Sequence, residues 1–489
     1  MRIFSGLMAG LCVLFSILLT GLLALPASAQ INPALYDTDK LSPAFHADRR
    51  AALRAAMPSN TAVVVFANPE RNRNNDTDFQ YAQDPNLYYL TGYGEPNALL
   101  IITKDEVTVG NQRGTEFFFA QERNPRQETW TGRRLGTEGV TNQLGLRNVS
   151  LGKDFNNFPL DFARFDSVLC VLPKGAVDYA DPKEKADLFD LIGQFNAKTQ
   201  DCTVSAPAFR LVMAKLRQFK QPEEMALLQK AIDITCQGHR EVMKFLAPNL
   251  TEYHAQSVME YMFKSNGSEY VGYGSIAGGG ENSCILHYIT NRRKLQDGDL
   301  FLADCGAEYH GYTADVTRTM PVNGTFSPAQ KAIYELVLAA QEAGFSACKP
   351  GTPFRNVHKA AFQVVQDGLA RLGIARDSAE TARYFMHGTS HSLGLDVHDW
   401  RVGDRMIPSH NPALTNLNPG LVLTVEPGVY IPANSPCDPK WWNIGVRIED
   451  DVLITDTGHR VLSLTAPRTV ADVEKLMREP SQFKKPVSR

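Results

Sequence analysis

The sequence predicts an α+β fold in two domains, and three observations predict it. Helical and strand signals are interleaved through residues 30–205, as in one α/β unit. Across residues 206–478 an order of two helices followed by strands occurs twice. The chain also has 489 residues, enough for two or three domains at roughly 150 residues each. Hydrophobic residues make up 43% and charged residues 21%, and 50 Lys and Arg face 53 Asp and Glu for a net charge of −3. That composition excludes collagen-like, coiled-coil and wholly disordered chains. It also supplies no basic footprint, so no nucleic-acid partner is expected.

Residues 1–29 stand apart from the rest. Arg2 is the only charge before Asp37, and residues 7–25 are almost wholly apolar. Ala27, Ser28 and Ala29 then supply the small residues a signal peptidase accepts, so a signal peptide cleaved before Gln30 is expected. The mature protein is therefore expected to be exported, periplasmic or secreted, with no stable membrane insertion once the leader is cut. The apolar run is nearly long enough to span a bilayer, which leaves an uncleaved anchor as the alternative. Of eight cysteines, Cys12 lies in the leader, and the other seven are widely spaced with no CxxC. They read mostly as buried free thiols and not as a disulfide framework.

In the first domain, residues 48–57 read as a helix and residues 61–66, with their β-branched run, as a buried strand. Residues 68–84 are a polar loop. Strand signals follow at 99–103, 116–120 and 167–172, and a helix over 181–198. The domain boundary is placed at 205, before a long amphipathic stretch. Pro222, Glu223 and Glu224 open a helix, with proline in the first turn and acids against the N-terminal dipole. Met225, Leu228, Ile232 and Cys236 continue it at helical spacing until Pro248, and a second helix covers 252–264 before strands. Ser327 and Gln330 form a capping box that opens the next helix, running to about Cys348. Another spans 355–372 and stops at Gly373, and strands follow at 421–426 and 446–455. The recurrence implies two related halves around one sheet-lined cleft. The tail 479–489, with Lys484, Lys485 and two prolines, is expected to be disordered.

Residues 298–320 read as a hairpin turning near Tyr309, His310 and Gly311, which sets Asp304 and Asp315 opposite each other. Carboxylates so placed repel unless a cation or a shared proton lies between them. Three of the eleven histidines, His387, His391 and His398, fall close together among small and apolar neighbours. His387 and His391 have the separation of a helical metal pair, but Gly388 and Gly394 disfavour a regular helix. Spacing alone leaves each histidine as readily a core residue as a ligand. Glu426 closes an apolar strand. Arg447 and Glu449 share a face by the period of two, while Asp450 and Asp451 compete with Glu449 for any acidic role. Four carboxylates and one imidazole form an oxygen-rich set whose charge of −4, once buried, calls for neutralisation, and two divalent cations supply +4. Such a set suits manganese, with cobalt or zinc as alternatives. A paired site makes a bridging hydroxide at neutral pH and polarises a carbonyl, the equipment of hydrolysis.

These segments resemble the M24 metallopeptidases of pita-bread fold, and among them the Xaa-Pro aminopeptidase (aminopeptidase P) family. Five ligand positions match in order and context, and residues 88–96, from Tyr88 to Pro96, are similar to that family's creatinase-like N-terminal domain. The resemblance covers nearly the whole mature chain. It implies a first domain over 30–205 and a pseudo-twofold pita-bread catalytic domain over 206–478. It also implies Asp304 as a ligand of one metal, Asp315 and Glu449 as bridging ligands, and His391 and Glu426 on the other metal. That selects Glu449 over its acidic neighbours. His287 and His398 are implied to hydrogen-bond the peptide, His387 to line the proline pocket, Arg447 to orient Glu449 and the cleft, and Glu426 to shuttle a proton. The implied reaction releases the first residue of peptides whose second residue is proline. A dipeptidase restricted to Xaa-Pro is the near alternative, and a non-catalytic pita-bread binding protein is disfavoured because every ligand position is filled. The family also implies a homo-oligomer, a dimer or tetramer. One departure is the loop 433–442, whose Trp441 and Trp442 would cover the cleft, form a subunit contact or simply pack.

Overall fold

The β-branched and aromatic runs of the first domain pair into a single five-stranded mixed sheet, here seen in a computed structural model that describes residues 38–173 and 187–485. The expected signal peptide lies outside the described residues, as do the first residues of the helix expected over 181–198, which is described as Leu188–Lys198. In sheet order the strands are Val149–Leu151, Gln112–Ala120, Leu99–Val109, Thr61–Phe66 and Ser167–Cys170. Thr61–Phe66 is buried on both faces. Val63 and Val65 pack with Phe45 and Leu53 of the helix Pro43–Ala56, while Val64 and Phe66 pack with Phe117, Phe119 and Phe195. Cover on both faces is why this strand reads as an unbroken apolar run. The strand expected at 99–103 runs on to Val109, since Val107 and Val109 resume the buried face after a polar irregularity. The loop 68–84 carries a short exposed hairpin, Asn72–Asn74 with Thr77–Asp78.

The helix Ala206–Arg217, capped by Ser205, lies beyond the expected boundary yet packs with the first domain. Phe209, Val212, Met213 and Leu216 join the cluster of Leu53 and Val63, while Ala214 packs with Val402 and Ile407.

The second domain follows the expected repeated order. Helices Pro222–Phe245 and Glu252–Ser265 precede strands Ile276–Gly279, Leu300–Cys305 and Val316–Pro321. Helices Pro328–Ala347 and Arg355–Arg371 precede strands Val422–Val425, Gly428–Ile431, Ile444–Arg447 and Asp450–Ile454. The helix starts are where the capping signals place them: Ser327 Oγ accepts from Gln330 N–H, and Gln330 Oε1 accepts from Ser327 N–H. The segment 446–455 is two strands and not one, broken at Ile448 and Glu449. One continuous core of side chains from Leu227 to Leu476 joins the helices to the sheets.

The tail also departs from expectation as far as Phe483. Ser481 Oγ and the Gln482 N–H donate to Glu241 Oε1 at 2.6 and 2.8 Å, and Phe483 packs edge-on against Phe245 and Tyr261. An aromatic anchor and a carboxylate partner outweigh the charge and prolines that read as disorder. Among the described residues, no helix is long and apolar enough to cross a membrane, and the seven cysteines are unpaired thiols.

Candidate active site

The hairpin through residues 298–320 forms, but its register differs from expectation. The turn holds only His310 and Gly311, both at positive φ, with Tyr309 opposite Tyr312. Counting back from that tight turn, Asp304 faces Thr317 and not Asp315. Asp315 lies two residues along on the same face, so the two acids are diagonal neighbours. The Tyr273 hydroxyl joins them, 2.6 Å from Oδ1 of each. The hairpin passes between two sheets at Gly306, where a Cβ would stand 1.8 Å from the Ala314 carbonyl oxygen. Only glycine allows that crossing.

Backbone pairing brings the remaining groups alongside. Thr424 N–H donates to His391 O at 3.0 Å, and Glu426 N–H to Thr389 O at 2.8 Å. These bonds hold the irregular histidine segment against the strand Val422–Val425 and the Glu426 that follows it. His391 Nε2 then lies 3.4 Å from Asp315 Oδ2 and 3.6 Å from Glu426 Oε1. Glu449, in the break after Ile444–Arg447, accepts from Thr317 Oγ1 at 2.6 Å. Donor atoms of Asp315, His391 and Glu449 all lie within 4.8 Å of one another.

The other expected residues surround this group. The His398 ring is stacked on His391, with centroids 3.8 Å apart and planes at 7°. His387 Nε2 lies 2.8 Å from the Tyr430 hydroxyl, and Nδ1 lies 3.7 Å from Glu426 Oε2. His287 is on the exposed rim. Asp304, Asp315, His391, Glu426, Glu449, His287, His387, His398 and Arg447 all line one cavity of about 650 Å³, with apolar walls from Ile276, Leu286, Ile289 and Val397. Trp441 and Trp442 do not line it; Trp441 is buried, and Trp442 Nε1 donates to Ser435 O within its own loop.

Arg447 lies among these groups. Its Nη2 pairs with Asp304 Oδ2 at 2.5 Å, its Nη1 donates to the Tyr430 hydroxyl at 2.8 Å, and its Nε to Thr317 Oγ1 at 3.2 Å. Its hydrogen bonds therefore orient Asp304 directly and meet Glu449 through Thr317, while its charge also acts on Glu449 through space. The acidic neighbours also separate by environment. Asp450 is fully buried and held by Arg318, Gln341 and Ser463, while Asp451 Oδ2 accepts the Asp315 N–H. Neither lines the cavity. Sequence reasoning passed over Tyr273, Thr317 and Tyr430. Thr317 was within reach, since strand alternation puts it on the face of Asp315, but Tyr273 lies outside the acidic and histidine motifs, and Tyr430, in the strand just after Glu426, sits between Val429 and Ile431 as a core aromatic would.

Charge in the cavity is out of balance. Burial raises the carboxyl pKa of Asp304, pushes that of Glu449 well above the usual range, and carries Glu426 up to about 7. Burial opposes ionisation of Asp315 as well, but its hydrogen bond with His391 holds it low. Burial likewise opposes a charged His391, yet Asp315 and Glu426 raise it to about 9. Four carboxylates with one imidazole and one arginine need more positive charge than the protein supplies. A donor set of this kind fits divalent cations.

Comparison with known proteins bears on this arrangement. Residues 226–456 match the model of metallopeptidase family M24, and residues 46–164 match the aminopeptidase P N-terminal domain. The chain is 36% identical over 442 residues to Xaa-Pro aminopeptidase of Escherichia coli, covering 88% of this chain and 96% of that protein. The chain belongs to metallopeptidase family M24. This M24 chain is also 30% identical to human Xaa-Pro aminopeptidase 3, covering 86% of this chain and 82% of that protein. Among solved structures, aminopeptidase PepP of Pseudomonas aeruginosa matches with a TM-score of 0.78 and 36% identity, over 90% of this chain and 99% of that one. Aminopeptidase P of E. coli with the inhibitor Pro-Leu matches with a TM-score of 0.78 and 34% identity, over 90% and 98%. The expected family and fold class are thereby shown, and membership implies divalent metal.

Proposed function

We propose that this M24 chain is an exported, metal-dependent aminopeptidase that releases the first residue of peptides with proline in second position. The observation that carries the reading is the convergence of four carboxylates and His391 in one cavity of a chain similar, over nearly its whole length, to Xaa-Pro aminopeptidases. Asp304, Asp315, His391, Glu426 and Glu449 would hold two divalent ions, best manganese by their oxygen-rich chemistry. When bound, the ions supply a water activated at neutral pH and an electrophile for the scissile carbonyl.

The chain's own residues do the rest. Arg447 and Tyr273 fix Asp304, and Thr317 fixes Glu449, before any substrate arrives. Glu426 takes the proton of the attacking water on its carboxylate and delivers it to the leaving nitrogen. That nitrogen is proline's, which has no hydrogen in the intact bond, so its departure depends on a proton from a placed acid. His387, held by Tyr430, lines the wall for the proline ring, and His287 and His398 hydrogen-bond the peptide on either side. The assembly is a dimer or tetramer, and the mature chain starts at Gln30.

The test offers purified residues 30–489, loaded with manganese, an Xaa-Pro-Yaa tripeptide and an Xaa-Pro dipeptide side by side. Release of the first residue from the tripeptide supports the reading. Turnover of the dipeptide alone makes the protein a dipeptidase, and turnover of neither refutes the substrate assignment.

A further inference from the structure

We infer that Arg217 is a positioning residue of the active site, through which the first domain holds the segment bearing His391 and His398. The inference rests on the roles proposed above for those two histidines. Arg217 is the last residue of the helix Ala206–Arg217, which packs in the first domain's core, and its side chain is 1% exposed. Nη1 donates to Asn86 Oδ1 at 2.8 Å, in the first-domain helix Pro85–Thr91. Nη2 donates across the domain junction to Asp396 Oδ2 at 2.7 Å and Asp399 Oδ1 at 2.6 Å. Lys220 Nζ takes the other oxygen of Asp399 at 2.8 Å. Asp399, also 1% exposed, therefore has each carboxylate oxygen held by a cation that follows directly from the first domain.

What these cations hold is the short loop between the two histidines. Asp399 N–H donates to Ser392 O at 2.9 Å and Gly394 N–H to Asp396 O at 3.1 Å, closing the loop on itself. The Gly394 carbonyl accepts from Thr313 N–H at 3.0 Å, tying the loop to the hairpin of Asp315. There is no slack behind it: a Cβ at Gly394 would lie 2.2 Å from Asp399 Oδ2. His391 and His398 leave the two ends of this loop and stack at 3.8 Å, so a shift of one ring displaces the other.

The geometry points to position and not to stability as the function of the pair. Burying an arginine with carboxylates returns little net stability, because desolvation offsets the attraction. A guanidinium, however, is a planar fork with donors in fixed directions, and here the fork reaches three acceptors on two sides of a junction. A lysine at 217 offers one ammonium and cannot span them.

The experiment uses residues 30–489 carrying R217M or R217K, with kcat and KM on an Xaa-Pro-Yaa tripeptide under manganese and histidine ring signals by NMR in the metal-free protein. In R217M, kcat is expected to fall tenfold or more while KM stays within about threefold. The ring signals of His391 and His398 are expected to move, and R217K to fall between R217M and the parent. A wild-type kcat in R217M with unmoved ring signals overturns the inference. Should R217M not fold, Asp396→Asn removes one arm of the fork at a side chain that is 38% exposed. Its kcat is expected to fall several-fold, and a wild-type kcat there overturns the inference equally. If the parent does not cut the tripeptide, the proposed function fails, and the ring signals alone decide the role of Arg217.

Discussion

Replacing Arg447 by lysine isolates what a guanidinium does at the mouth of the acidic cluster. Arg447 is 3% exposed and bonds Asp304 at 2.5 Å, Tyr430 at 2.8 Å and Thr317 at 3.2 Å. A lysine ammonium can keep the Asp304 pair but not the two hydroxyls, which lie in other directions. Each hydroxyl retains a second partner, His387 for Tyr430 and Glu449 for Thr317, so neither is orphaned. The loss is then near the net value of an ordinary hydrogen bond, about 1 kcal/mol each and about 2 kcal/mol together. If the transition state loses that same orientation, about 2 kcal/mol is roughly a 30-fold fall in kcat/KM. Urea unfolding and steady-state kinetics on the tripeptide measure the two quantities independently. Arg447→Met goes further, because it strips Asp304 of its cation, and its penalty is expected to shrink when metal is loaded. A lysine variant within twofold of wild type in kcat/KM, with an unchanged urea midpoint, would refute the claim that Arg447 organises the site.

Other consequences follow from the same structure. Arg318 is fully buried, donating to Asp450 and to the carbonyls of Thr317, Glu449, Ala466 and Pro467. Arg318→Met leaves Asp450 without its cation and is expected to destabilise by about 3–5 kcal/mol, read by denaturant midpoint. Gly306→Ala drives a methyl into the Ala314 carbonyl and is expected to yield insoluble protein, whereas Ala at Gly458, with no neighbour within 4 Å, is expected to be soluble. His46 is held neutral in the fold, its pKa lowered to about 4 by burial, against 6.5 when unfolded. Its contribution is whole above pH 6.5 and is lost as pH falls toward 4, because only the unfolded chain takes the proton. At pH 5 that amounts to about 2 kcal/mol. His46→Asn should flatten the stability change between pH 7.5 and pH 5 by that amount, as read by urea titration at each pH.

The parts legible in the sequence were those whose cause is local. Ser327 with Gln330, and Gly373 after its helix, mark helix ends through bonds made within a turn, and the run 61–66 marks a strand covered on both faces. The acids of the site were legible because a carboxylate inside an apolar strand is conspicuous, and the family resemblance selected Glu449 over Asp450 and Asp451. Relations that depend on distant segments were not legible. The register of Asp304 and Asp315 turned on where the turn is centred: a centre between Tyr309 and His310 would pair the two acids, whereas the observed centre between His310 and Gly311 pairs Asp304 with Thr317. The pairing of Arg447 with Asp304 was not legible, because the two are 143 residues apart in the chain. The helix Ala206–Arg217 is amphipathic in either domain, and only the position of its apolar face shows which core it completes.

Metal content and product, read together, test the acidic cavity directly. Purified residues 30–489, wild type and Asp315→Asn, would be stripped with a chelator, reloaded with manganese, and assayed for bound metal and for release of the first residue from an Xaa-Pro-Yaa tripeptide. The wild type is expected to lose activity on stripping and regain it on reloading, while Asp315→Asn is expected to bind less metal and release no residue. Full activity in the stripped wild type, or wild-type release by Asp315→Asn, would contradict the proposed metal-dependent reaction.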